Sequence, residues 1–463
     1  MKLHHAILPL ALALSLPAVA GAATPARHGL SPEEMIHLDR YGSPTLSPDG
    51  RVLVFTKRVI DRATNKASTS LWMRNLVTRD NVPPHRISPE GWNVNSPAFS
   101  PDGKTLYFLS GKSGSSQLYA MPIEGGEPRQ LSNLPVDIDG FKLSPDGTRV
   151  ALVLAVFPDC KADLACTKKR LDAAEARKAT GLVFDHMFIR HWDTWADGRL
   201  NRVFAATLGG EGMLTSATLL SGDIHGDIPS KPFGDLSDFA WSPDGKTVAM
   251  SVRQSNREEP WSTNFDIWLV NADGSGARNM TAANKAWDAG PVFSADGKTL
   301  YYRAMKRPGF EADRFALMAM DLASGQAREI DPGWDRSADG ITLSADGKSI
   351  YTTAEDMGQR PLFRIDIASG HAARIVADGS VSSMQLAGPT LAVARNSMRS
   401  GDVVYVTDPD GSAPLRQITP SAQDMLPSVA WGEYEQFSFS GWNNETVHGY
   451  VVKPWNYQPG GKY

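Results

Sequence analysis

Cysteine, charge of one sign and long apolar runs are all scarce in this sequence. Only two of 463 residues are cysteine, and 47 Lys and Arg nearly balance 51 Asp and Glu, for a net charge of −4. The two signs are interspersed, so no basic stripe indicates a nucleic-acid partner. The apolar stretch at residues 6–16 is too short to span a membrane, and no other apolar stretch is long enough for a transmembrane helix. We therefore expect neither nucleic-acid binding nor a membrane span.

The two cysteines, Cys160 and Cys166, lie six positions apart in one segment. In an oxidising compartment this spacing predicts a local disulfide. The closed loop is short, so the expected gain in global stability is small. Two cysteines alone do not make a zinc site, although His186 or His191 could complete one. We predict no metal and no cofactor.

The N-terminus has the pattern of a secretory signal. Lys2 supplies a positive charge near the start, residues 6–16 form an apolar stretch, and Pro17 ends it. Small residues at 18–22 provide sites for cleavage by a signal peptidase. No cysteine follows the apolar stretch, so we predict no lipid attachment. We predict a signal peptide over residues 1–22 and an exported protein, periplasmic in a Gram-negative source or otherwise secreted.

A short motif recurs six times: an apolar residue, Ser, Pro or Ala, then Asp-Gly. The copies occupy residues 46–50, 99–103, 143–147, 241–245, 293–297 and 343–347, and their aspartates are 53, 44, 98, 52 and 50 residues apart. Pro, Asp and Gly at these positions suit a type I turn followed by a left-handed glycine, a common hairpin connection. A period near 50 with one doubled gap indicates a repeat architecture.

Short β-branched and aromatic segments flank each turn, and further strands complete each repeat. Four antiparallel strands per repeat predict an all-β fold, a seven-bladed β-propeller. The seventh blade, roughly 383–419, lacks the turn motif but keeps the strand pattern. We expect an N-terminal segment with a short helix at 23–42, the propeller at 43–420, and at 421–463 a linker leading into the first strands of a further domain. The alternative interpretation is that the six motifs are unrelated surface turns in an ordinary β-sandwich.

The doubled gap predicts an insertion at about 157–200. Residues 168–180 should form a surface helix, and residues 183–195 concentrate Arg, His, Asp and Trp outside the blade pattern. Loops on a rigid scaffold often bind ligands. A second irregular loop, 257–264, contains adjacent glutamates that could hold a cation such as a peptide amino terminus. The predicted substrate-binding residues are Arg190, His191, Trp192, Asp193, Trp195, Glu259 and Trp261. The alternative is packing, with both Trp side chains buried and Asp193 paired with Arg190.

No catalytic motif is present. The sequence has no Gly-x-Ser-x-Gly elbow, phosphate loop, His-Glu-x-x-His helix or Rossmann glycine pattern. We therefore predict no catalytic residue in this chain.

After about Trp431 the repeat of about 50 residues ends. Residues 436–440 and 446–452 are predicted to form an isolated pair of strands. A hairpin alone is not a stable domain, so it resembles the start of one.

These features together resemble the prolyl oligopeptidase family of serine peptidases, in its dipeptidyl-peptidase and acylaminoacyl-peptidase branch. The resemblance covers essentially all of the chain after the predicted signal peptide, corresponds to the N-terminal propeller portion of the family, and rests on residues 190–195, 261–264 and 445–454. It implies that an α/β-hydrolase domain with a Ser-Asp-His triad follows the propeller, and that this chain stops before the triad. It implies short peptides as substrates, selected by the propeller. The paired-glutamate run of some dipeptidyl peptidases is not matched at Glu258 and Glu259.

The favoured interpretation is the gating propeller of an exported serine exopeptidase that releases dipeptides or acyl-amino acids, with the chain itself inactive. The alternative is a periplasmic TolB-like propeller that serves as a protein-binding scaffold. A glycosidase or lyase would need paired carboxylates that converge at the propeller axis, and no sequence pattern indicates such a pair.

Overall fold

Seven four-stranded antiparallel sheets follow one another along the chain. The computed structural model describes residues 27–77, 82–185, 187–209, 213–222, 224–253 and 257–463. The predicted signal peptide therefore lies outside the described residues, as does His186. Each sheet is built from strands consecutive in the blade, and the predicted seven-bladed β-propeller is confirmed.

The blades are numbered in chain order and their strands from first to fourth. Blades 1 to 3 comprise Arg40–Leu46, Val52–Asp61, Lys66–Asn75 and His85–Arg86; Val94–Phe99, Thr105–Ser110, Gln117–Pro122 and Arg129–Gln130; Gly140–Leu143, Arg149–Val156, Leu200–Thr207 and Thr218–Leu219. Blades 4 and 5 comprise Phe239–Trp241, Thr247–Arg253, Phe265–Asn271 and Arg278–Asn279; Asp288–Phe293, Thr299–Ala304, Ala316–Asp321 and Ala327–Glu329. Blades 6 and 7 comprise Thr342–Leu343, Ser349–Thr353, Leu362–Asp366 and Ala372–Val376; Ser380–Ala387, Thr390–Ser397, Ser400–Thr407 and Arg416–Gln417.

Few elements lie outside the blades. The helices are α1 (Pro32–His37), α2 (Leu164–Glu175) and α3 (Ala422–Met425), with 3-10 turns at Pro158–Cys160, Leu236–Asp238, Glu259–Trp261 and Trp442–Asn444. Two hairpins pair Arg190–His191 with Thr194–Trp195 and Tyr434–Ser440 with Thr446–Val452. We call the latter the tail hairpin.

Helix α2 lies earlier in the chain than the predicted 168–180. It begins at Leu164 because the Asp163 carboxylate caps it, accepting the Cys166 N–H at 2.9 Å. It ends at Glu175, so the composition of 176–180 does not extend it. Helix α1 begins after Ser31, whose hydroxyl and the Glu34 carboxylate form a capping box.

The repeated motif forms the turn between first and second strands, as expected. In blade 1 the Asp49 carboxylate accepts the Ser47 hydroxyl at 2.6 Å and the Arg51 N–H at 3.1 Å, and Gly50 has a φ of +71°. The Ser47 hydroxyl in turn accepts the Val52 N–H at 2.9 Å. The serine therefore joins the two strands, while only glycine adopts the required positive φ without strain.

The first strands of blades 7 and 1, 1 and 2, 2 and 3, and 4 and 5 contact each other, which places the first strands on the inner side of the ring. The ring closes between blades 1 and 7, where the Leu46 N–H donates to the Gln385 side chain and the Thr390 hydroxyl donates to the Gly50 carbonyl at 2.8 Å. In the described part of the chain, an apolar cluster fills each junction between neighbouring blades. Burial of these faces, rather than one central core, holds the ring together.

Candidate functional site

The two ends of the propeller differ in their loops. Each first strand ends at the tight turn of its blade, so these turns lie together at one end. There Gly147 and Gly103 pack against Pro101 and Pro48 of the preceding turns. The loops between second and third strands lie at the opposite end, which we call the loop end. In blades 3, 4 and 5 these loops are long, at 157–199, 254–264 and 305–315.

A cavity of about 300 Å³ opens at the loop end among blades 3, 4 and 5. Its lining combines aromatic rings with two basic side chains and one acidic one. The lining residues are Phe188, His191, Trp192, Ser230, Lys231, Pro232, Phe233, Arg253, Pro260, Phe265, Trp287 and Glu311. We call it the aromatic cavity. A neighbouring cavity of about 390 Å³ shares Phe188, Arg253, Pro260 and Glu311 and also includes Trp261.

Arg253 lies between the two cavities at the end of its strand. Its Nη2 is 3.2 Å from Glu259 Oε1, and both side chains are largely buried. The guanidinium also lies over the rings of Phe188 and Phe265, at 5.8 and 5.3 Å from their centroids. The charge pair fastens the described part of the loop, residues 257–264, to the second strand of blade 4. The cation–π contacts join Arg253 to the blade 3 insertion and to the third strand of blade 4.

Aromatic side chains from separate loops meet at the mouth of the aromatic cavity. Trp192 packs edge-to-face on Phe233, with centroids 5.7 Å apart. Trp192 also has a φ of +47°, an uncommon conformation for a residue with a large side chain, and it remains 69% exposed. Phe233 is 63% exposed, so this pair forms an aromatic surface open to solvent. A second pair, the buried Phe265 and the half-buried Trp287, stacks with centroids 4.2 Å apart in the same cavity.

His191 lies inside the insertion, against Phe188 at 4.6 Å between ring centroids. Burial lowers the pKa of His191, and the Arg253 charge lowers it further. The imidazole is therefore neutral near neutral pH and contributes an aromatic face and a hydrogen-bonding nitrogen.

The structure brings only part of the predicted set together. His191 and Trp192 line the aromatic cavity and Trp261 lines its neighbour, whereas Glu259 adjoins both through its pair with Arg253. The remaining predicted residues, Arg190, Asp193 and Trp195, do not line either cavity. Their role in substrate binding stays a prediction.

The packing alternative for the insertion is contradicted. Trp192 and Trp195 are 69% and 55% exposed, so neither is buried against the blade. Arg190 donates to the Trp192 carbonyl and lies over the Trp195 ring, and among the described residues no hydrogen bond or ion pair joins it to Asp193. The insertion presents its aromatic residues at the surface.

Cys160 and Cys166 are joined in a disulfide, with Cα atoms 5.6 Å apart. The bond links the turn after blade 3's second strand to the first turn of α2, so it braces the start of the insertion. Neither thiol is therefore available to a zinc ion. In the described ranges no group of three or more His, Cys, Asp or Glu side chains could hold a metal.

Sequence reasoning missed Arg253, Phe233, Trp287 and Glu311. These side chains are far apart in the chain, and no local motif marks them. Arg253 and Glu311 lie at or in long loops of blades 4 and 5, whereas Phe233 and Trp287 lie in the connections that precede blades 4 and 5. Only the ring arrangement brings those loops together.

Both chain segments outside the propeller also lie at the loop end. Glu33 of α1 pairs with Arg62 in the blade 1 loop. In the tail hairpin, Gln436 Nε2 donates to the Met357 carbonyl in the blade 6 loop at 3.0 Å. Arg399 in the blade 7 loop donates to the Gly432 carbonyl at 3.2 Å. Blade 1 thus holds the N-terminal helix, blades 6 and 7 hold the tail segment, and blades 3 to 5 form the cavities.

The tail hairpin and the residues after it expose several large apolar side chains. Phe437, Phe439, Val452 and Trp455 are 43%, 53%, 59% and 47% exposed, and Trp442 is 87% exposed. No helix in the described ranges has the length and apolar character needed to cross a membrane.

The chain is homologous to dipeptidyl peptidases. It is 30% identical over 388 residues to dipeptidyl-peptidase 5 of Porphyromonas gingivalis, which covers 83% of this chain and 55% of that protein. It is 28% identical over 439 residues to dipeptidyl-peptidase 5 of Porphyromonas endodontalis, covering 94% and 61%. The chain thus spans less than two thirds of the length of these relatives. No protein-family model matches it.

Solved structures share the fold. An acylaminoacyl peptidase in complex with Z-Gly-Gly-Phe-chloromethyl ketone aligns with a TM-score of 0.70 at 14% identity, covering 93% of this chain and 60% of that one. The β-propeller domain of the Trilobed protease from Pyrococcus furiosus aligns with a TM-score of 0.56 at 13% identity, covering 82% and 98%. These comparisons confirm the resemblance to the propeller portion of the prolyl oligopeptidase family's dipeptidyl-peptidase and acylaminoacyl-peptidase branch.

Proposed function

We propose that this chain is the substrate-gating propeller of an exported serine exopeptidase. The complete enzyme would release dipeptides or acyl-amino acids from the amino ends of short peptides. The relatives named dipeptidyl-peptidase 5 support this class of substrate, and the match to only 55% and 61% of their lengths supports a second, catalytic part. The exported location rests on the N-terminal pattern alone.

One geometric relationship carries the proposal. The cavities and the tail hairpin lie at the same end of the propeller, the loop end. A domain continuing from the exposed apolar tail would cover that end, and the cavities would open onto the interface. Peptides small enough to enter would be held between the two domains, while folded proteins would be excluded.

The catalytic chemistry is proposed to reside in the part of the relatives that this chain does not match. Acyl transfer there would use a Ser nucleophile, a His base and an Asp that orients it. Within this chain the residues bind and orient: Trp192, Phe233 and Arg253 shape the cavity beside which the scissile bond would lie. The chain by itself is then expected to be inactive.

The test compares two proteins on a chromogenic dipeptidyl anilide substrate. One is the 463-residue chain, and the other is the same chain extended by whatever reading frame follows its last codon. We expect turnover by the extended protein only, abolished by replacing the serine of any Gly-x-Ser-x-Gly elbow it gains. Turnover by the short chain would contradict the absence of catalytic residues. An immediate stop codon would favour the scaffold function.

A further inference from the structure

The blade 3 insertion holds two apolar side chains in solvent. Val183 is 97% exposed, the highest value for any large apolar side chain in the described ranges, and its neighbour Leu182 is 54% exposed. Both lie in residues 178–183, a stretch after α2 that forms neither helix nor strand and in which every residue is exposed. These two side chains therefore contribute nothing to the core of the propeller.

The protein supports this stretch at both ends. Before it, α2 buries Leu164 in the apolar cluster of blades 2 and 3, and the disulfide braces the start of the helix. After it, Phe184 stacks on Trp195 with ring centroids 5.7 Å apart. Leu182 and Val183 are thus presented by a loop with two fixed ends rather than by a free chain end.

The same part of the insertion is positively charged. Residues 161–184, which we call the basic insertion segment, contain six Lys and Arg but only three Asp and Glu, whereas the whole chain has a net charge of −4. Two of the three acidic groups are engaged, because Asp172 pairs with Lys168 and the Asp163 carboxylate caps α2. Four exposed basic side chains form no ion pair with a described residue: Lys161, Lys169, Arg177 and Lys178.

Exposed apolar side chains next to uncompensated cations suit the surface of an anionic bilayer. Apolar side chains enter the boundary between headgroups and acyl chains, and Lys and Arg are attracted to the anionic headgroups. A lipid surface requires no matching groove. A stable protein partner would require a complementary surface of about 800 Å² on each side, far more than a loop with two apolar side chains provides.

We propose that the basic insertion segment docks the protein on an anionic phospholipid bilayer. Leu182 and Val183 enter the bilayer interface, and Arg177 and Lys178 lie at the lipid phosphates. This interaction goes beyond the proposed function and does not depend on it. Because one short loop and a few charges carry it, the binding is reversible and sensitive to salt.

The test measures co-sedimentation of the protein with lipid vesicles. The protein is the chain from residue 23 onward, because the apolar stretch at residues 6–16 could itself contact lipid. One set of vesicles is phosphatidylcholine alone, and the other contains about 30% phosphatidylglycerol. We expect binding to the anionic vesicles to be at least about tenfold tighter, and to weaken when salt is raised from about 0.05 M to about 0.5 M.

Two double variants divide the interaction into its parts. Leu182→Ser with Val183→Ser should lower the partition coefficient for anionic vesicles at least about fivefold, because the apolar contact is lost. Arg177→Gln with Lys178→Gln should lower it at least about tenfold and reduce its dependence on salt. Thermal melts establish that both variants are folded, as expected for exposed side chains.

The matched controls change similar side chains elsewhere on the surface. Val77→Ser alters a valine that is 61% exposed beside blade 1. Lys104→Gln with Lys298→Gln removes two exposed lysines from tight turns at the opposite end of the propeller. Both controls should bind anionic vesicles as the unaltered protein does.

Several results would overturn the proposal. These are no binding to anionic vesicles, equal binding to both kinds of vesicle, or unaltered binding by either double variant of the insertion. Loss of binding in Trp442→Ser alone would place the lipid contact on the tail hairpin instead. Binding to soluble polyglutamate that matches vesicle binding and survives loss of Leu182 and Val183 would assign the segment to an acidic protein.

Discussion

The Arg253 guanidinium and the Glu259 carboxylate, 3.2 Å apart, face each other where the blade 4 loop leaves its strand. Both side chains are largely buried, and burial raises the pKa of Glu259 despite the opposing effect of Arg253. The pair holds Arg253, which lines both cavities, in place. It also removes the charge that would have made Glu259 the obvious partner for a substrate amine.

Glu259→Gln should destabilise the protein, because it leaves the guanidinium of Arg253 without its counter-charge in a poorly solvated site. We expect the free energy of unfolding to fall by about 1–3 kcal/mol. This loss is smaller than for a fully buried pair, because both groups keep some contact with solvent. Urea titration measures it. Glu355→Gln, at an exposed position on the blade 6 loop, is the control and should lie within about 0.5 kcal/mol of the parent. Equal stability of both variants would refute the structural role.

Trp192→Ala should separate substrate binding from folding. The side chain is 69% exposed, so its loss should cost little stability, about 0.5 kcal/mol. In the extended enzyme, loss of its aromatic contact should lower kcat/KM for dipeptidyl substrates by about 2- to 10-fold.

The control for that variant is Val77→Ala, which shortens a side chain that is 61% exposed, follows the third strand of blade 1 and lies outside both cavities. Steady-state kinetics and a thermal melt are measured on both. A large fall in melting temperature with unchanged kcat/KM would mean that Trp192 serves packing.

Asp288 should make stability depend on pH. Burial, reinforced by the nearby Asp266 charge, raises the pKa of Asp288 to about 7, although Asn284 and Thr281 donate to it. A carboxyl group whose pKa is raised on folding binds more protons in the native state, so stability falls as pH rises from about 4 to 7. The contribution is on the order of 4 kcal/mol at most, from a shift of about three pKa units.

Asp288→Asn keeps an oxygen that can accept from Asn284, 2.8 Å away in the native protein, and removes this titration. We expect unfolding free energies of the variant to change less between pH 5 and 8 than those of the parent, as followed by urea titration. Asp296→Asn alters a turn aspartate whose pKa is lowered by the Ser294 hydroxyl, so it should leave the change in unfolding free energy between pH 5 and 8 as in the parent. If the unfolding free energies of Asp288→Asn and the parent change equally with pH, Asp288 does not have this role.

Gly29→Ala should loosen the N-terminal segment from the tail. An added Cβ would lie 2.3 Å from Cδ1 of Trp455, too close for either group to stay in place. The neighbouring contact, in which Ala430 N–H donates to the His28 carbonyl at 2.7 Å, should weaken with it. We expect faster hydrogen exchange at 28–38 and 428–430 and an unchanged melting temperature of the blades. Gly333→Ala, where an added Cβ meets nothing within 4 Å, should leave exchange at both segments as in the parent.

The tight turns show why the blades were predictable. Pro, Asp and Gly each suit one position of a local hairpin connection, and the native turns use them in that way. The hydroxyl of Ser47, which joins first and second strands through the Val52 N–H, was the part not foreseen. The N-terminal helix was equally local, since Ser31 and Glu34 form its capping box within one turn.

The cavity shows why the site was only partly predictable. Trp192 and Trp261 stood out because they interrupt a regular pattern, and both line a cavity. Glu259 stood out as an acidic pair, but its partner Arg253 lies on the preceding strand, and only three-dimensional contact shows that the charges cancel. Glu311 had no local signature at all.

Local backbone chemistry, repeated at a regular spacing, was sufficient for the sequence alone to determine the blades, their number and the position of the insertion. Turn propensities act over four or five residues and need no tertiary context. Tertiary structure decided which loops face one another at the loop end and which charges remain uncompensated there. Those properties depend on how seven separate sheets close into a ring, because closure sets the distances between side chains hundreds of residues apart.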